Sequence, residues 1–293
     1  MFLYFHHAMP ELPEVETITQ ELNRKIKGKI IRSVEVKVPK QINLPILEFS
    51  RRTIGKKINS VSRRAKLIII DLEGPDFLLI HLKLTGQLIY ETASDRTGRQ
   101  NFPAKVGPMP GKFTHIIFNF TDGSRLYFND IRKFGYIKLI KDEEMIKVGN
   151  EFGPEPLSKD FDLPKFKEIL ARYPNRKIKQ ILMDQAMIAG IGNIYADESC
   201  FYAKILPTRI VKTLTDEEVK NLYYGIRKIL LASIEKGGTS ADTYVRTDGS
   251  DGGFVPFLKV YGREGEKCSG CPGKVNKIKL NGRGTHFCLF CQK

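Results

Sequence analysis

Four of the five cysteines crowd the last 26 residues as Cys268-x2-Cys271-x16-Cys288-x2-Cys291. Two thiolate pairs at that spacing form knuckles that wrap one tetrahedral Zn²⁺, and the chain between them must double back as a hairpin. The double pattern favours zinc over redox or disulfide use. Between the knuckles lie Lys274, Lys277, Lys279 and Arg283, and Gly282 and Gly284 flank the arginine so that the backbone can turn sharply. A basic hairpin held by zinc is a device for contacting phosphate; a structural ribbon with a solvated basic face is the bland alternative. The fifth cysteine, Cys200, reads as a buried thiol on a helical stretch, with no catalytic role.

The rest of the chain changes hydrophobic period twice. From Pro13, the residues Val15, Ile18, Leu22 and Ile26 recur at helical spacing, with acids in the first turn, bases in the last and Gly28 as a stop. The next hundred residues switch to strand period: 34–38, 67–72, 77–82, 115–120, 125–129 and 136–140 are short and rich in β-branched or aromatic residues, and Asp122-Gly123 marks a hairpin. Many short strands after one helix predict a β-sandwich rather than a parallel βαβ fold. Gly153-Pro154-Glu155-Pro156 reads as a linker. Helical spacing returns over 164–172, 176–187 and 215–236, the last opened by the capping box Thr215-Asp216-Glu217-Glu218 and ended by Gly237-Gly238. Residues 239–256 are polar and glycine-rich, and read as a mobile loop.

Forty-eight Lys+Arg against 33 Asp+Glu leave a net charge of +15. That imbalance favours a polyanion, with nucleic acid first and an anionic membrane surface second. No apolar run approaches the roughly 18 residues of a spanning helix. Residues 1–8 lack the basic start and long apolar core of a secretory signal, so the cytoplasm is the expected location.

The stretch Met9-Pro10-Glu11-Leu12-Pro13-Glu14 is ordinarily a helix start. If translation begins at Met9 and that residue is removed, Pro10 becomes a free secondary amine able to form an iminium with an aldehyde-level carbon. Inside a longer chain the same nitrogen is a tertiary amide without nucleophilicity.

These residues carry a resemblance. Met-Pro-Glu-Leu-Pro-Glu-Val-Glu-Thr (9–17), Asp-Ile-Arg-Lys-Phe-Gly (130–135), Gly-Pro-Glu-Pro-Leu (153–157), Leu-Met-Asp-Gln (182–185), Gly-Ile-Gly-Asn-Ile-Tyr-Ala (190–196) and Val-Tyr-Gly-Arg (260–263) precede the four cysteines. In that order they resemble the bacterial formamidopyrimidine-DNA glycosylases, base-excision enzymes for 8-oxoguanine and ring-opened purines, over residues 9 to 293. Leu12 favours this branch over the endonuclease VIII branch, which usually has Gly there.

The resemblance implies an α+β multidomain fold: a leader 1–9 outside the mature protein, a helix and β-sandwich catalytic domain over 10–141, and a helix-two-turn-helix domain over 153–238. A lesion-capping loop over 239–256 and a zinc finger over 257–293 complete it. It implies a bifunctional glycosylase and AP lyase acting on double-stranded DNA as a monomer in the cytoplasm at the nucleoid, with one structural Zn²⁺ on Cys268, Cys271, Cys288 and Cys291.

Pro10 is then the nucleophile and Glu11 the proton donor or shuttle, with Glu14 supporting the site. Lys66 is a proton donor in β-elimination, and Arg283 grips phosphate and serves δ-elimination. Lys179 and Asn193 hold the DNA backbone, while Leu84, Arg132 and Phe134 fill the space left by the extruded nucleotide. Leu84 replaces the usual methionine, and Phe113 stands where some members have a DNA-contacting histidine. Gly190-Ile191-Gly192-Asn193 is not a dinucleotide fingerprint, since Tyr195 occupies the third glycine position; it resembles the turn of the helix-two-turn-helix element. The rival readings are a non-catalytic zinc-ribbon DNA-binding protein, if residues 1–9 are retained, and a glycosylase for oxidised pyrimidines.

Overall fold

A computed structural model describes residues 9–97 and 102–293. The leader 1–8 lies outside the described residues. Helix α1 (Leu12–Ile26) presents Val15, Ile18, Leu22 and Ile26 to the interior, and its first-turn acid and last-turn bases match the helix dipole. The strands that follow are β1 (Ile31–Val36), β2 (Ile58–Arg64), β3 (Leu67–Leu72), β4 (Asp76–His81), β5 (Gly86–Glu91), β6 (Thr114–Phe120), β7 (Arg125–Asp130) and β8 (Tyr136–Lys141). Short helices α2 (Ile46–Thr53) and α3 (Ala93–Thr97) interrupt them.

The strands form two four-stranded antiparallel sheets, ordered β1-β6-β7-β5 and β2-β3-β4-β8. One apolar core takes Phe118, Leu88 and Phe128 from the first sheet, Ile68, Ile70 and Ile80 from the second, and the buried face of α1. That shared core makes the two sheets a sandwich with a helix packed against it.

Strands β2 and β5 escape a reading by apolar alternation. Ile58-Asn59-Ser60-Val61-Ser62-Arg63-Arg64 is mostly polar, and β5 begins at a glycine. Both exist because neighbouring strands supply the ladder, which is tertiary pairing rather than local propensity.

Helix α4 (Asp142–Asn150), also unread from the sequence, buries no residue completely and leans Met145 and Val148 on the outer face of the second sheet. Helices α5 (Leu163–Ala171), α6 (Ile178–Met183), α7 (Asn193–Tyr202) and α8 (Asp216–Glu235) gather around a second core that includes Phe166, Ile181, Tyr195 and Leu222. The expected helix 176–187 stops at Met183. Asp184 Oδ1 accepts the Ala186 N–H, and Gln185 bonds both the Gly190 N–H and the Ile191 carbonyl, closing two turns before α7. Helix α8 opens as expected, with the Thr215 hydroxyl on the Glu218 N–H and the Glu218 carboxylate on the Thr215 N–H.

The chain closes with the hairpin β9 (Asn276–Leu280) and β10 (Arg283–Phe287). Among the described residues no helix is long and apolar enough to cross a membrane.

The segment 239–256, expected to be a mobile loop, makes specific contacts with the sandwich. Buried Glu21 on α1 accepts from the Thr247 N–H and hydroxyl and pairs with Arg246, Lys25 donates to Thr247, and the Tyr90 N–H bonds the Thr247 carbonyl. Tyr244 and Val245 are buried. A buried carboxylate must be satisfied, and satisfying Glu21 ties this strap to the sandwich.

Candidate active site

The start of α1 and the start of α7 meet at the seam between the sandwich and the helical region. The Leu12 N–H bonds the Gly190 carbonyl at 3.0 Å. Gly190 sits at φ +85° against the Leu12 side chain, and a Cβ on Gly192 would fall 2.5 Å from Glu11 Oε1. Only glycine permits both approaches. Glu11, 2% exposed, accepts the N–H groups of Gly192 and Ile194 at 2.8 Å and of Tyr195 at 3.4 Å, so it occupies the positive end of α7. Burial pushes the Glu11 pKa up, and the nearby Lys66 cation and the three N–H groups only partly oppose that.

Glu14 lies beneath. It accepts the Glu11 and Thr239 N–H groups and the Tyr195 hydroxyl, which also meets Ser233 and Thr239. Burial, reinforced by the Glu11 charge, pushes Glu14 up to about 7.

Lys66 enters from the β2–β3 turn. Ala65 adopts φ +52°, unusual for a residue with a Cβ, and its N–H is held by Glu155 Oε1 at 2.7 Å. Glu155 also pairs with Arg63 and Arg64, while Arg64 bonds the carbonyls of Gly149, Phe152 and Gly153. The interdomain linker thus fixes the turn that aims Lys66. Burial lowers the Lys66 pKa, with Glu11 and Glu14 opposing and Arg283 assisting.

These groups surround one cavity of about 470 Å³, lined by Met9, Glu11, Lys66, Leu84, Arg132, Asn193 and Arg283 among others. Pro10 is buried between Met9 and Glu11. Leu84 and Arg132 stand on adjacent loops organised by one buried carboxylate. Asp130 accepts the Arg132 and Gly135 N–H groups, the Gln41 amide and the Thr85 hydroxyl. Phe134 is 55% exposed, with the Arg132 guanidinium 4.9 Å from its ring centre. Phe113 is half-buried, with the Lys112 ammonium 4.8 Å from its ring.

One expected role changes, that of Lys179, and Asn193 gains a second contact. The Lys179 ammonium was expected on the DNA backbone, yet the residue is 1% exposed; Asp197 Oδ1 lies 2.6 Å and Thr285 Oγ1 2.8 Å from Nζ. A buried ammonium needs a counter-charge, and Asp197 supplies it from within. The Asn193 amide, though on the cavity wall, donates to the Gly284 carbonyl at 2.9 Å. Both side chains therefore hold the hairpin that presents Arg283. Cys200 is fully buried, and burial pushes its thiol pKa far up, as befits an inert thiol.

Sequence reasoning overlooked Asp130, Glu155, Asp197 and His81. His81 is held near pKa 3 by burial and by the Lys83 and Lys66 charges; its Nδ1 accepts the Lys83 N–H and shapes the turn before Leu84. Asp130 and Glu155 lie within the quoted motifs and His81 within an apolar run, whereas Asp197, between Ala196 and Glu198, has no local signal.

The four cysteine sulfurs lie within 4.8 Å of one another, with Sγ–Sγ distances of 3.7 Å for Cys268–Cys291 and 3.5 Å for Cys271–Cys288. Those separations are far too long for disulfides, about 2.05 Å, and close to the tetrahedron edge of about 3.8 Å implied by metal–sulfur bonds of about 2.3 Å. The Gly270 and Gly273 N–H groups point at Cys268 and Cys271 Sγ at 3.4 Å, as suits thiolates. The cluster could hold a metal ion.

Two family models match: the formamidopyrimidine-DNA glycosylase N-terminal domain over residues 9–137 and its H2TH domain over 152–245. A formamidopyrimidine-DNA glycosylase of Pelotomaculum thermopropionicum is 41% identical over 288 residues, covering 97% of this chain and 99% of the relative. A Lactococcus lactis FPG mutant bound to Fapy-dG containing DNA superposes with TM-score 0.86 at 36% identity, covering 97% of this chain and all of that one. MutM bound to carbocyclic 8-oxo-G containing DNA superposes with TM-score 0.84 at 35% identity, covering 97% of this chain and 100% of that one. With two family models over most of its length and a relative 41% identical over 97% of it, the chain belongs to the formamidopyrimidine-DNA glycosylase family.

Proposed function

We propose that this chain removes 8-oxoguanine and formamidopyrimidine bases from duplex DNA and then cleaves the strand by β,δ-elimination, with Pro10 as the nucleophile. One observation carries the reading: Met9 and Glu11, Lys66 and Arg283, which come from three distant parts of the chain, line a single cavity. Relatives solved with Fapy-dG and 8-oxo-G analogue DNA support the lesion class. The N-terminal family model begins at residue 9, which supports Met9 as the start of the working protein.

Loss of Met9 turns the Pro10 amide into a secondary amine. The amine attacks C1′, the glycosidic bond breaks, and the purine departs with a proton. Glu11 supplies or shuttles it, and burial shifts its pKa upward, in the direction that favours the proton-bearing form. Opening of the sugar leaves an iminium at C1′, which acidifies the C2′ hydrogen. Loss of that proton expels the 3′ phosphate, with Lys66 as proton donor, and a second elimination at Arg283 expels the 5′ phosphate. Leu84, Arg132 and Phe134 occupy the gap in the duplex, and Lys179 and Asn193 steady the hairpin.

Zn²⁺ is the ion that four thiolates at these separations suit; it fixes the hairpin and takes no part in the chemistry. We also assign residues 10–141 to the catalytic domain, 153–238 to the helix-two-turn-helix domain, 239–256 to a lesion-capping strap and 257–293 to the zinc finger. The working unit is a monomer in the cytoplasm, on nucleoid DNA.

Borohydride trapping tests the reading with chains beginning at Pro10 and at Met9, on duplexes carrying 8-oxoguanine opposite cytosine or thymine glycol. A crosslink confined to the Pro10 chain and favouring 8-oxoguanine is expected. Equal trapping with Met9 retained overturns Pro10 as nucleophile, and a preference for thymine glycol overturns the lesion class.

A further inference from the structure

A second cavity, of about 760 Å³, lies where the C-terminal end of α7, the middle of α8, the turn after Val255 and the cysteine knuckles converge. It shares no lining residue with the active-site cavity. Asn193 and Tyr202 mark opposite ends of α7, and nine residues at ~1.5 Å each put them roughly 14 Å apart. The volume lies within the range of ligand pockets, roughly 300–1,000 Å³.

Its walls are aromatic: Phe201, Tyr202, Phe257 and Phe290. Three of these are exposed, Phe290 by 73%. Apolar rings gathered at a concave surface cost free energy in water and signal a partner. Each of the three exposed rings has a separate anchor. The Tyr202 ring packs on Gly225, where a Cβ would come within 2.6 Å; Phe257 stacks on Phe254 at 5.7 Å; Phe290 packs on Gly273. The rings are therefore held in place before any ligand arrives.

The rim is cationic. Lys204, Lys228, Lys259 and Lys293 line it, all exposed, and no ion pair with a carboxylate involves them among the described residues. The Lys228 ammonium lies 5.1 Å from the Tyr202 ring centre. The one acid in the wall, Glu198, is buried and accepts the N–H groups of Lys259, Val260 and Tyr261, so it does not offset the rim.

We propose that this cavity docks a short acidic peptide segment of a partner protein, with an aromatic or leucine side chain seated among the rings and flanking carboxylates on the lysines. Four cations around an apolar hollow complement such a segment in both charge and shape. Duplex DNA fits less well, because its apolar base faces are stacked inside and it offers mainly phosphates and groove edges.

The probe is a fluorescein-labelled decapeptide of six acidic residues followed by Phe-Leu-Phe-Gly, titrated by anisotropy against the full chain already saturated with lesion duplex. Binding in the range of roughly 10–100 μM is expected, lost when the two Phe become Ala. Lys228→Glu and Phe257→Ala should each weaken it by about fivefold or more. Both variants should still nick lesion duplex at the normal rate, which shows that they fold. Absence of binding at millimolar peptide overturns the proposal, as does binding indifferent to both substitutions. Peptide binding seen only when the duplex is left out places the peptide in the DNA cleft instead and overturns the proposal. An oligothymidine that binds the saturated protein with the same sensitivity to Lys228→Glu and Phe257→Ala makes the cavity a single-strand site and likewise overturns it.

Discussion

Replacing Asp197 with Asn tests whether a buried ion pair holds the phosphate-gripping hairpin in place. Asp197 is wholly buried on α7, with Oδ1 2.6 Å from Lys179 Nζ on α6 and Oδ2 2.9 Å from the His286 N–H on β10. The pair therefore links three elements, two in the helical region and one in the hairpin. In Asp197→Asn the amide can still meet the His286 N–H, but the Lys179 ammonium keeps only Thr285 Oγ1 and the Gly284 carbonyl. An uncompensated buried charge typically costs about 3–5 kcal/mol. At ~2–4 °C per kcal/mol for a chain of this size, the unfolding midpoint of the helical region should fall by roughly 6–20 °C.

The double variant Lys179→Met with Asp197→Leu removes both charges and should recover most of that loss, since apolar replacement of a buried pair is often neutral. DNA affinity should not recover with it, because Thr285 has lost the Lys179 ammonium and the His286 N–H the Asp197 carboxylate. Thermal unfolding followed by circular dichroism, with DNA titrations beside it, reads both quantities. A midpoint shift under ~2 °C for Asp197→Asn, or a double variant as unstable as the single, would refute the reasoning.

Arg64→Ala should lower the strand-cleavage rate by about 10- to 100-fold, because it frees the turn that aims Lys66, the proton donor of β-elimination; single-turnover kinetics of nicking decide, and an unchanged rate removes the linker from catalysis. Glu14 sits at about 7 in the folded chain against an ordinary 4.5, so it retains its proton where the unfolded chain has lost it. The resulting stabilisation is full below about pH 4.5 and is lost as pH rises through 7, a swing of roughly 3 kcal/mol that Glu14→Gln should abolish. Urea unfolding at pH 4.5 and 8 measures it, and parallel pH profiles for both proteins count against it. Stripping the metal with a chelator should weaken DNA binding by about tenfold or more while the sandwich stays folded; unchanged affinity would argue that the cysteine cluster is not metal-held. With a net charge of +15, raising salt from about 50 to 200 mM should cost affinity about three orders of magnitude or more, and a flat titration contradicts phosphate-led binding.

The architecture was largely written in local pattern. The period of α1, the apolar strands β3, β4, β6, β7 and β8, the capping box of α8 and the cysteine spacing are signals that neighbours in the chain create for one another. Strands β2 and β5 and helix α4 were not legible, because their residues are polar or sparse and they form only where partner strands or a sheet face are supplied. The same division runs through the site. Glu11, Lys66 and Arg283 could be named from the family resemblance, yet only the folded chain joins them at one cavity. It also decided that Lys179 and Asn193 hold the hairpin and that the strap at Thr247 is pinned by Glu21. The chemistry of a side chain belongs to the sequence. Its surroundings do not: whether a lysine grips DNA or an interior aspartate depends on which distant carboxylate folding brings within 3 Å, and a linear pattern does not encode that distance.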